Sequence, residues 1–287
     1  MRILLTGVTG QLGRELQRIL PEIAEVIGYS RQEMDLAQPE QIQRAIARVQ
    51  LDLILNAGAY TAVDRAETEL DLVRAINGIA PQILAEEAQK REVALFHIST
   101  DYVFDGRKNT PYTEEDETNP LSAYGASKWV GEEGIRQATA NHLILRTAWV
   151  YGAGETGNFV KTMLRLGAER EEIRVVSDQI GSPTWTGDLA RAIAQLLTHT
   201  PFPTGTYHYT NSGVASWYDF AVAIFEEASN LNFPLKVKNV IPITTADYPT
   251  PARRPAYSVL STQKITALLS TQPPHWREGL RQMLRSM

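Results

Sequence analysis

The sequence has no cysteine and no long apolar run. The absence of cysteine among 287 residues excludes disulfides, thiolate metal sites and cysteine nucleophiles. No apolar run approaches the ~20 residues that a membrane-spanning helix needs, and the first residues enter a strand pattern without the layout of a signal peptide. The sequence therefore predicts a cytoplasmic protein with no membrane partner.

An excess of basic residues is also missing. The net charge is -5, with both signs spread along the chain, so no basic stripe indicates nucleic acid as a partner. The acidic run at residues 114–117 is typical of a solvated loop. No set of side chains defines a metal site, and Glu15, the one ligand considered, is expected to be solvated.

Strand and helix patterns alternate through the first half of the chain. Apolar runs predict strands at residues 3–5, 26–29, 51–55, 94–100 and 142–148. Between them, Thr68 to Asp71 fits a capping box that opens a helix extending to about Arg91, and Ser122 is expected to begin another helix. This alternation predicts an α/β fold with a doubly wound parallel sheet of the Rossmann type.

The second half is less regular and is punctuated by prolines. Its patterns predict strands at 173–176 and 206–209 and helices at 187–197 and 217–228. We therefore predict a nicotinamide-binding domain over residues 1–150. A smaller, mainly substrate-binding C-terminal lobe is expected over residues 151–287, and the two can be interleaved.

A glycine pattern lies between the first predicted strand and helix. Gly7, Gly10 and Gly13 form G-x-x-G-x-x-G, which permits a tight turn and close approach of the backbone to a pyrophosphate at the helix N-terminus. The same pattern fits a plain turn. Its position between strand and helix at the start of the chain favours cofactor binding.

The end of the second predicted strand bears on the choice of nicotinamide. An NAD site usually places Asp or Glu there for the ribose hydroxyls, whereas this chain has Ser30 and Arg31. A hydroxyl and a cation suit a 2′-phosphate better. The sequence therefore predicts a preference for NADPH, and the alternative is that Arg31 is a solvated surface charge.

Tyr124 and Lys128 are four residues apart on a predicted helix and so share one face. A nearby ammonium favours the phenolate and lowers the pKa of a tyrosine, which makes the phenol a better proton donor near neutrality. Thr100 ends the fourth predicted strand, at the edge where parallel α/β sheets bind ligands. These residues predict a nicotinamide-dependent reductase. The alternatives are a half-buried tyrosine, a surface lysine and a strand-end threonine.

These elements resemble the short-chain dehydrogenase/reductase superfamily. By that resemblance, Thr100, Tyr124 and Lys128 form its catalytic triad: Tyr124 protonates a carbonyl oxygen, Lys128 holds the nicotinamide ribose, and Thr100 orients the carbonyl. The same resemblance implies that Gly10, Gln11 and Leu12 wrap the cofactor diphosphate. It also implies further cofactor contacts from Asp35, Leu36, Ala57, Gly58, Ala59 and Tyr124.

Longer stretches narrow the resemblance. Residues 97–106 (HISTDYVFDG), 119–128 (NPLSAYGASK), 146–152 (RTAWVYG) and 178–184 (DQIGSPT) resemble the dTDP-4-dehydrorhamnose reductase family. That family reduces the 4-keto group of dTDP-4-dehydro-L-rhamnose to give dTDP-L-rhamnose, using NADPH or NADH. The resemblance implies a nucleotide-sugar substrate and a possible homodimer.

The resemblance also implies substrate contacts from Thr100, Asp101 and Trp149, with Phe104 lining the same pocket. A carboxylate accepts hydrogen bonds from sugar hydroxyls, and an indole packs on the apolar face of a pyranose. The alternatives are a turn carboxylate for Asp101 and core positions for the two aromatic residues. Arg253 and Arg254 either neutralise the diphosphate of the nucleotide sugar or are surface residues of a proline-rich loop.

Other functions fit part of the pattern, among them reduction of the 4-keto group of a different nucleotide sugar. A sugar-nucleotide epimerase or 4,6-dehydratase shares the glycine loop and the Tyr-Lys pair, but a dehydratase typically has Asp-Glu after the threonine, where this chain has Asp101 and Tyr102. A non-catalytic subunit, like the regulatory subunit of methionine adenosyltransferase, is the alternative from another class. The complete Thr100-Tyr124-Lys128 set weighs against it.

Overall fold

A six-stranded parallel sheet forms the centre of the molecule, in a computed structural model that describes residues 1–154 and 157–287. Its strands, in spatial order, are β10 (Gly205–His208), β5 (His142–Thr147), β4 (Ala94–Thr100), β3 (Leu53–Asn56), β1 (Arg2–Thr6) and β2 (Glu25–Tyr29). Every neighbouring pair is parallel. The doubly wound Rossmann-type sheet predicted from the sequence is confirmed.

The apolar strands cover both faces of this sheet. On β1, Ile3 and Leu5 pack into one hydrophobic cluster, while Leu4 between them packs into another. Successive side chains of a strand point to opposite faces, so an unbroken apolar run is what a sheet with helices on both sides requires.

The helices lie on the two faces and in the second lobe. Their bounds are α1 (Gln11–Ile19), α2 (Pro39–Ala47), α3 (Val63–Ala66), α4 (Leu70–Arg74), α5 (Ala80–Lys90), α6 (Ala123–Ala138), α7 (Phe159–Glu169), α8 (Thr186–Thr198), α9 (Trp217–Asn230), α10 (Gln263–Leu269) and α11 (Trp276–Arg285). Helices α1 and α8 cover one face of the sheet, and α2, α5 and α6 cover the other. Within the described part of the chain, no helix is both long and apolar enough to cross a membrane.

The order of the strands reverses between β1 and β3. The chain runs outward from β1 to β2, then returns to the other side of β1 to form β3. Ligands of open α/β sheets bind at such a switch point, outside the carboxyl ends of the strands. Thr6, Asn56 and Thr100 end β1, β3 and β4 and therefore face one crevice.

A second lobe packs beside that crevice. Its aromatic-rich cluster joins α7, α9 and α11. Short strands complete it: β6 (Val150–Tyr151), β7 (Glu172–Val176), β8 (Ile180–Gly181), β9 (Thr184–Trp185), β11 (Ala215–Ser216) and β12 (Asn239–Ile243). Strand β10 and helix α8 follow residue 150 in sequence but belong to the central sheet and its covering layer, so the two parts are interleaved.

The predicted helix N-termini are confirmed at Ser122 and Ser216 but not at Thr68. Ser122 accepts a hydrogen bond from Gly125 N as the N-cap of α6, and Ser216 and Asp219 form the capping box of α9. The capping box expected at Thr68 is wrong, because its hydroxyl instead donates to Arg65 O. The long helix expected to Arg91 is split into α4, a π-helical turn at Ala75–Ile79, and α5.

Candidate active site

A cleft of about 660 Å³ lies along the carboxyl ends of the sheet strands, between the sheet and the second lobe. Most of the residues predicted from the sequence to bind cofactor or substrate line it. They are Gly7, Gly10, Gln11, Leu12, Gly13, Arg31, Asp35, Leu36, Ala57, Gly58, Ala59, Thr100, Asp101, Tyr124, Lys128 and Trp149. Ser30 and Phe104 are absent from this lining.

The glycine loop leaves no room for side chains. Gly7 has a φ of +71°, and a Cβ there would lie 2.6 Å from the backbone of Gly58. A Cβ on Gly13 would lie 2.1 Å from Gly7 O. Gly10 caps α1 without a side chain and donates its N–H to Gly7 O over 2.9 Å. A bare backbone at a helix N-terminus fits a dinucleotide diphosphate.

Ser30 and Arg31 differ in what they offer a ligand. The Ser30 hydroxyl donates to Glu33 Oε2 over 2.7 Å, and the Ser30 N–H donates to the same oxygen. The Arg31 side chain is 69% exposed, and its Nε lies 3.6 Å from Asp35 Oδ2. Arg31 is therefore a cation on the cleft wall, whereas Ser30 is committed to its own turn.

The structure brings Thr100 and Tyr124 together. Burial raises the pKa of Tyr124 to about 12, and a hydrogen bond with Thr100 partly offsets this effect. Lys128 Nζ donates to Ile98 O over 2.6 Å and lies 3.1 Å from His97 Nε2. The expected lowering of the Tyr124 pKa by Lys128 is wrong for this arrangement: burial dominates, and the phenol keeps its proton at neutral pH.

Asp101 presents a buried carboxylate to the cleft. The residue is 1% exposed, and its Oδ1 accepts a hydrogen bond from Thr100 Oγ1 over 3.1 Å. Within the described residues, its Oδ2 has no hydrogen-bond partner of good geometry, although the Ser258 hydroxyl lies near enough to lower the pKa of the carboxyl. Burial raises the pKa of Asp101 to about 6. A buried oxygen without a partner is costly, and a ligand hydroxyl would satisfy it.

Stacked indoles form the opposite wall. Trp149 has a φ of +48°, and its ring lies 3.5 Å from that of Trp217, at an interplanar angle of 4°. A Cβ on Gly181 would lie 2.5 Å from the Trp149 ring. Phe159 packs on Trp217 at 4.6 Å between ring centroids. Sequence reasoning missed the position of Trp217, because its only local signal is the capping box that begins α9.

Phe104 does not line the cleft. It is fully buried, stacked on Tyr112 at 4.2 Å between ring centroids, with the Arg146 guanidinium 5.1 Å from its ring. A short 3-10 helix over Asp101–Val103 precedes it. The expectation that Phe104 contacts substrate is therefore not met in this structure, where the ring belongs to a satellite core.

Arg254 ties the C-terminal loop to the first half of the chain. Its Nη1 and Nη2 donate to Asp64 Oδ1 and Oδ2 over 3.0 and 2.8 Å. Tyr102, which lines the cleft, shares a hydrogen bond with Arg254 and sits 5.5 Å from the Tyr124 ring. Arg254 thus bridges the two parts of the molecule, while Arg253 is exposed.

Metal ligands were not expected, and Glu15 was expected to be solvated. Glu15 forms an ion pair with Arg18, 3.0 Å apart. In residues 1–154 and 157–287, no group of three or more His, Cys, Asp or Glu side chains could hold a metal ion.

Fold and site together define a nucleotide-dependent oxidoreductase of the short-chain dehydrogenase/reductase class. A glycine loop, a strand-end threonine and a Tyr-Lys helix meet in one cleft at the switch point of a parallel sheet. A family model described as the RmlD substrate binding domain matches residues 1–287. The chain belongs to this family, the family of dTDP-4-dehydrorhamnose reductases.

Relatives resemble the chain over its whole length. The dTDP-4-dehydrorhamnose reductase of Burkholderia thailandensis is 43% identical, with 100% of this chain and 99% of that protein covered. The spore coat polysaccharide biosynthesis protein SpsK of Bacillus subtilis is 45% identical, with 99% and 97% covered. A crystal structure of dTDP-4-dehydrorhamnose reductase from Bacillus anthracis in complex with NADP superposes with a TM-score of 0.93 at 39% identity, covering 100% and 99% of the two chains.

Proposed function

We propose that this chain reduces the 4-keto group of dTDP-4-dehydro-6-deoxy-L-mannose, also called dTDP-4-dehydro-L-rhamnose, to dTDP-L-rhamnose with NADPH. This is the last step of dTDP-rhamnose synthesis. The observation that carries the proposal is that one cleft is lined both by the glycine loop and by Thr100, Tyr124 and Asp101. Full-length similarity to reductases of this name supports the substrate.

The residues of the first half fit the dinucleotide. Gly7, Gly10 and Gly13 add no side chains to the loop, and the first residues of α1, Gln11 and Leu12, line the cleft, where a helix N-terminus favours an anion. Arg31 offers a cation to a 2′-phosphate, which favours NADPH while leaving NADH usable. The nicotinamide supplies a hydride for the carbonyl carbon.

The chain's own groups handle the proton. Tyr124, protonated at neutral pH because burial raises its pKa to about 12, donates its proton to the carbonyl oxygen. Thr100 holds the phenol and orients the carbonyl. Lys128, whose pKa burial lowers to about 8, holds the nicotinamide ribose and stabilises the phenolate left after proton transfer. General acid catalysis of this kind contributes ~10²–10⁴-fold.

The sugar lies between the catalytic residues and the second lobe in this proposal. Asp101 Oδ2, which lacks a well-aligned partner, accepts a sugar hydroxyl. The Trp149 ring packs on the apolar face of the pyranose, and Trp217 supports it from behind. These contacts hold the 4-keto group beside Tyr124.

An epimerase is the second candidate, because it would use the same Thr100, Tyr124 and Lys128. It holds NAD through a complete cycle, whereas a reductase releases oxidised cofactor and consumes another molecule. Asp101 is followed by Tyr102, so the second carboxylate typical of a 4,6-dehydratase is missing. A regulatory subunit without activity would bind a partner enzyme and turn over no keto sugar.

A homodimer in the cytoplasm completes the proposal. Leu70, Ile79, Trp129 and Val130 are large apolar side chains exposed on α4, α6 and the π-helical turn. Val130 packs close to Gly78 in that turn, so parts of this surface are contiguous and suit a second copy of the chain. Light scattering on purified protein tests the dimer; a monomer at micromolar concentration would contradict it. Cell fractionation tests the location.

The test of the reaction is product analysis. Purified protein is mixed with dTDP-4-dehydro-L-rhamnose and NADPH, and the cofactor consumed is compared with the dTDP-L-rhamnose formed. A ratio near one supports the reductase. An epimerised keto sugar formed without NADPH consumption would favour the epimerase, and no turnover with recovery of a stoichiometric partner would favour the regulatory subunit.

A further inference from the structure

Lys128 stands at the end of a buried chain of hydrogen bonds that crosses three adjacent strands. Its Nζ lies 3.1 Å from His97 Nε2, and His97 Nδ1 lies 2.9 Å from Asn56 Nδ2. Asn56 Oδ1 accepts from Thr6 Oγ1 over 2.6 Å, and Thr6 Oγ1 accepts from Gly58 N over 3.0 Å. The chain therefore runs from the Tyr-Lys helix to the backbone that packs on the glycine loop.

The middle of this chain is sealed from solvent, while its two ends, Thr6 and Lys128, line the cleft. Thr6 is 1% exposed, Asn56 and His97 are fully buried, and Lys128 is 2% exposed. The strands keep the members in register, since His97 pairs with Asn56 and Asn56 pairs with Thr6 across the sheet. His97 and Asn56 cannot exchange their partners for water, so their polar atoms must find partners within the protein.

The charge on Lys128 decides which way the donors point. An ammonium has only donors, so His97 Nε2 must accept from it. His97 then carries its proton on Nδ1 and needs an acceptor at Asn56. A half-turn of the Asn56 amide supplies Oδ1 there and turns Nδ2 toward Thr6 Oγ1, which has two lone pairs for Asn56 and Gly58.

The neutral amine reverses this order. With Asn56 Nδ2 facing His97 Nδ1, as the structure has it, the imidazole carries its proton on Nε2 and donates to Lys128 Nζ. Burial and the nearby Lys128 hold the pKa of His97 well below its usual range, so the ring stays neutral and only its tautomer changes. Both directions keep His97 and Asn56 paired. When Lys128 is an ammonium, the Thr6 hydroxyl gives up its bond to Asn56 Oδ1 and turns its hydrogen to the cleft, which Thr6 lines.

We propose that His97 is a positioning residue for Lys128, and that its tautomer follows the charge of the lysine, so that the hydrogen-bond chain to Thr6 and Gly58 reverses direction when Lys128 loses its proton. The proposal deepens the proposed function and rests on Lys128 serving that reaction. It lets a buried lysine change charge without leaving a ring nitrogen of His97 unpaired, a defect that is costly in a buried position.

Other charged groups near Lys128 are few and mostly committed. Glu132, one turn along α6, accepts from Arg146 Nε and Nη2 over 2.9 and 2.6 Å. Its charge raises the pKa of Lys128, against the larger lowering by burial. Tyr124 on the same helix and Asp101 after β4 line the same cleft. Any change caused by His97 must therefore be measured with these groups intact.

A matched pair of variants tests the two ring nitrogens of His97 separately. His97→Gln places an amide near the position of Nε2 and keeps an acceptor for Lys128. His97→Asn places one near Nδ1 and keeps only the contact to Asn56. Because charge-assisted hydrogen bonds are the stronger ones, losing the acceptor lowers the pKa of Lys128. We expect the alkaline limb of kcat/KM for NADPH to move down by about one unit in His97→Asn and to stay near the wild-type position in His97→Gln.

Nitrogen NMR of the wild-type histidine rings provides a reading that does not depend on turnover. The protein has five histidines, and His97→Gln identifies the signals of His97 by their loss. Between about pH 6 and pH 10, which spans the ordinary range of lysine and histidine titration, we expect the ring proton to move from Nδ1 to Nε2. The midpoint pH of this tautomer change should match the pKa of the alkaline limb of kcat/KM for NADPH.

The outcomes are distinct. A His97 tautomer that does not change over this range would overturn the proposal, as would equal alkaline limbs in the two variants, which indicate a purely structural histidine. If one variant fails to fold, the other still identifies the His97 signals by their loss, and the wild-type titration decides. No turnover of the keto sugar by wild type would contradict the proposed function, while the tautomer titration would still test the chain.

Discussion

The two walls of the cleft are built by different means. The cofactor wall consists of strand ends and glycines, where Gly7, Gly13 and Gly58 exclude side chains so that the backbone comes close to a ligand. The sugar wall consists of large aromatic rings, Trp149, Trp217 and Phe159, packed by contacts between segments far apart in the sequence. The cofactor wall is shaped by the absence of side chains, whereas the sugar wall is shaped by large aromatic side chains.

This difference separates the two recognition tasks. A bare backbone at a helix N-terminus recognises a diphosphate, which every dinucleotide carries. Aromatic rings and the buried Asp101 carboxylate recognise the faces and hydroxyls of one class of sugar. The reacting groups, Thr100, Tyr124 and Lys128, lie where the walls meet. Substitutions on one wall should therefore leave binding at the other nearly unchanged.

The largest effect is expected where the walls meet. Tyr124→Phe removes the proton donor and should lower kcat by ~10²–10⁴-fold, while NADPH affinity, measured by fluorescence titration, stays within about twofold because the cofactor wall is untouched. Tyr248→Phe, on an exposed side chain, serves as the control. Near-normal turnover by Tyr124→Phe would reject the tyrosine as donor.

A change on the sugar wall should affect the sugar alone. Trp217→Ala removes the ring that stacks on Trp149 and should lower kcat/KM for the nucleotide sugar about tenfold, in keeping with the energy of an aromatic pair. The Kd for NADPH should not change. Tyr248→Ala, which removes an exposed ring outside the proposed dimer surface, is the control. An equal loss in both variants would mean that Trp217 contributes only to folding.

A change on the cofactor wall should affect only the choice of cofactor. Arg31→Ala removes an exposed cation and should reduce the ratio of kcat/KM for NADPH to that for NADH about fivefold, the scale of a solvent-exposed ion pair. Arg44→Ala, on the exposed side of α2, controls for net charge. If the wild type prefers NADH, or Arg31→Ala leaves the ratio unchanged, the assignment is wrong.

The smallest effect is expected at the bridge between the halves. Arg254→Lys replaces the bidentate hydrogen bonding of the guanidinium to Asp64 by the single charge of an ammonium. We expect KM for the nucleotide sugar to rise about threefold, consistent with a partly exposed ion pair, and the Kd for NADPH to stay constant. Arg253→Lys on the neighbouring exposed residue is the control. A change in the Kd for NADPH as large as the change in KM would show that the two walls are coupled.

The sequence predicted most residues of the cofactor wall but only part of the sugar wall. Gly7, Gly10 and Gly13 are close together in the chain, and Tyr124 and Lys128 share a helix, so local patterns fix their relation. Trp217 is brought to Trp149 by the packing of the second lobe, which no local pattern encodes. The prediction that Phe104 lines the substrate pocket was wrong because its ring packs against Tyr112 and Arg146 and not in the cleft.

Electrostatics were harder to predict than positions. The Tyr-Lys spacing suggested an ammonium that lowers the pKa of the phenol, but the strand carrying His97 and Ile98 holds Lys128 Nζ. Burial then dominates, and the pKa of Tyr124 rises. Desolvation depends on the whole surrounding structure, so the spacing of two residues cannot reveal it.

The central claim is that one wall selects the dinucleotide while the other selects the keto sugar for reduction. The most direct test follows NADPH absorbance with dTDP-4-dehydro-L-rhamnose and, in parallel, with the same sugar on a UDP carrier. We predict rapid oxidation of NADPH with the dTDP sugar and formation of dTDP-L-rhamnose. A folded protein that binds NADPH but oxidises it with neither sugar would contradict the claim.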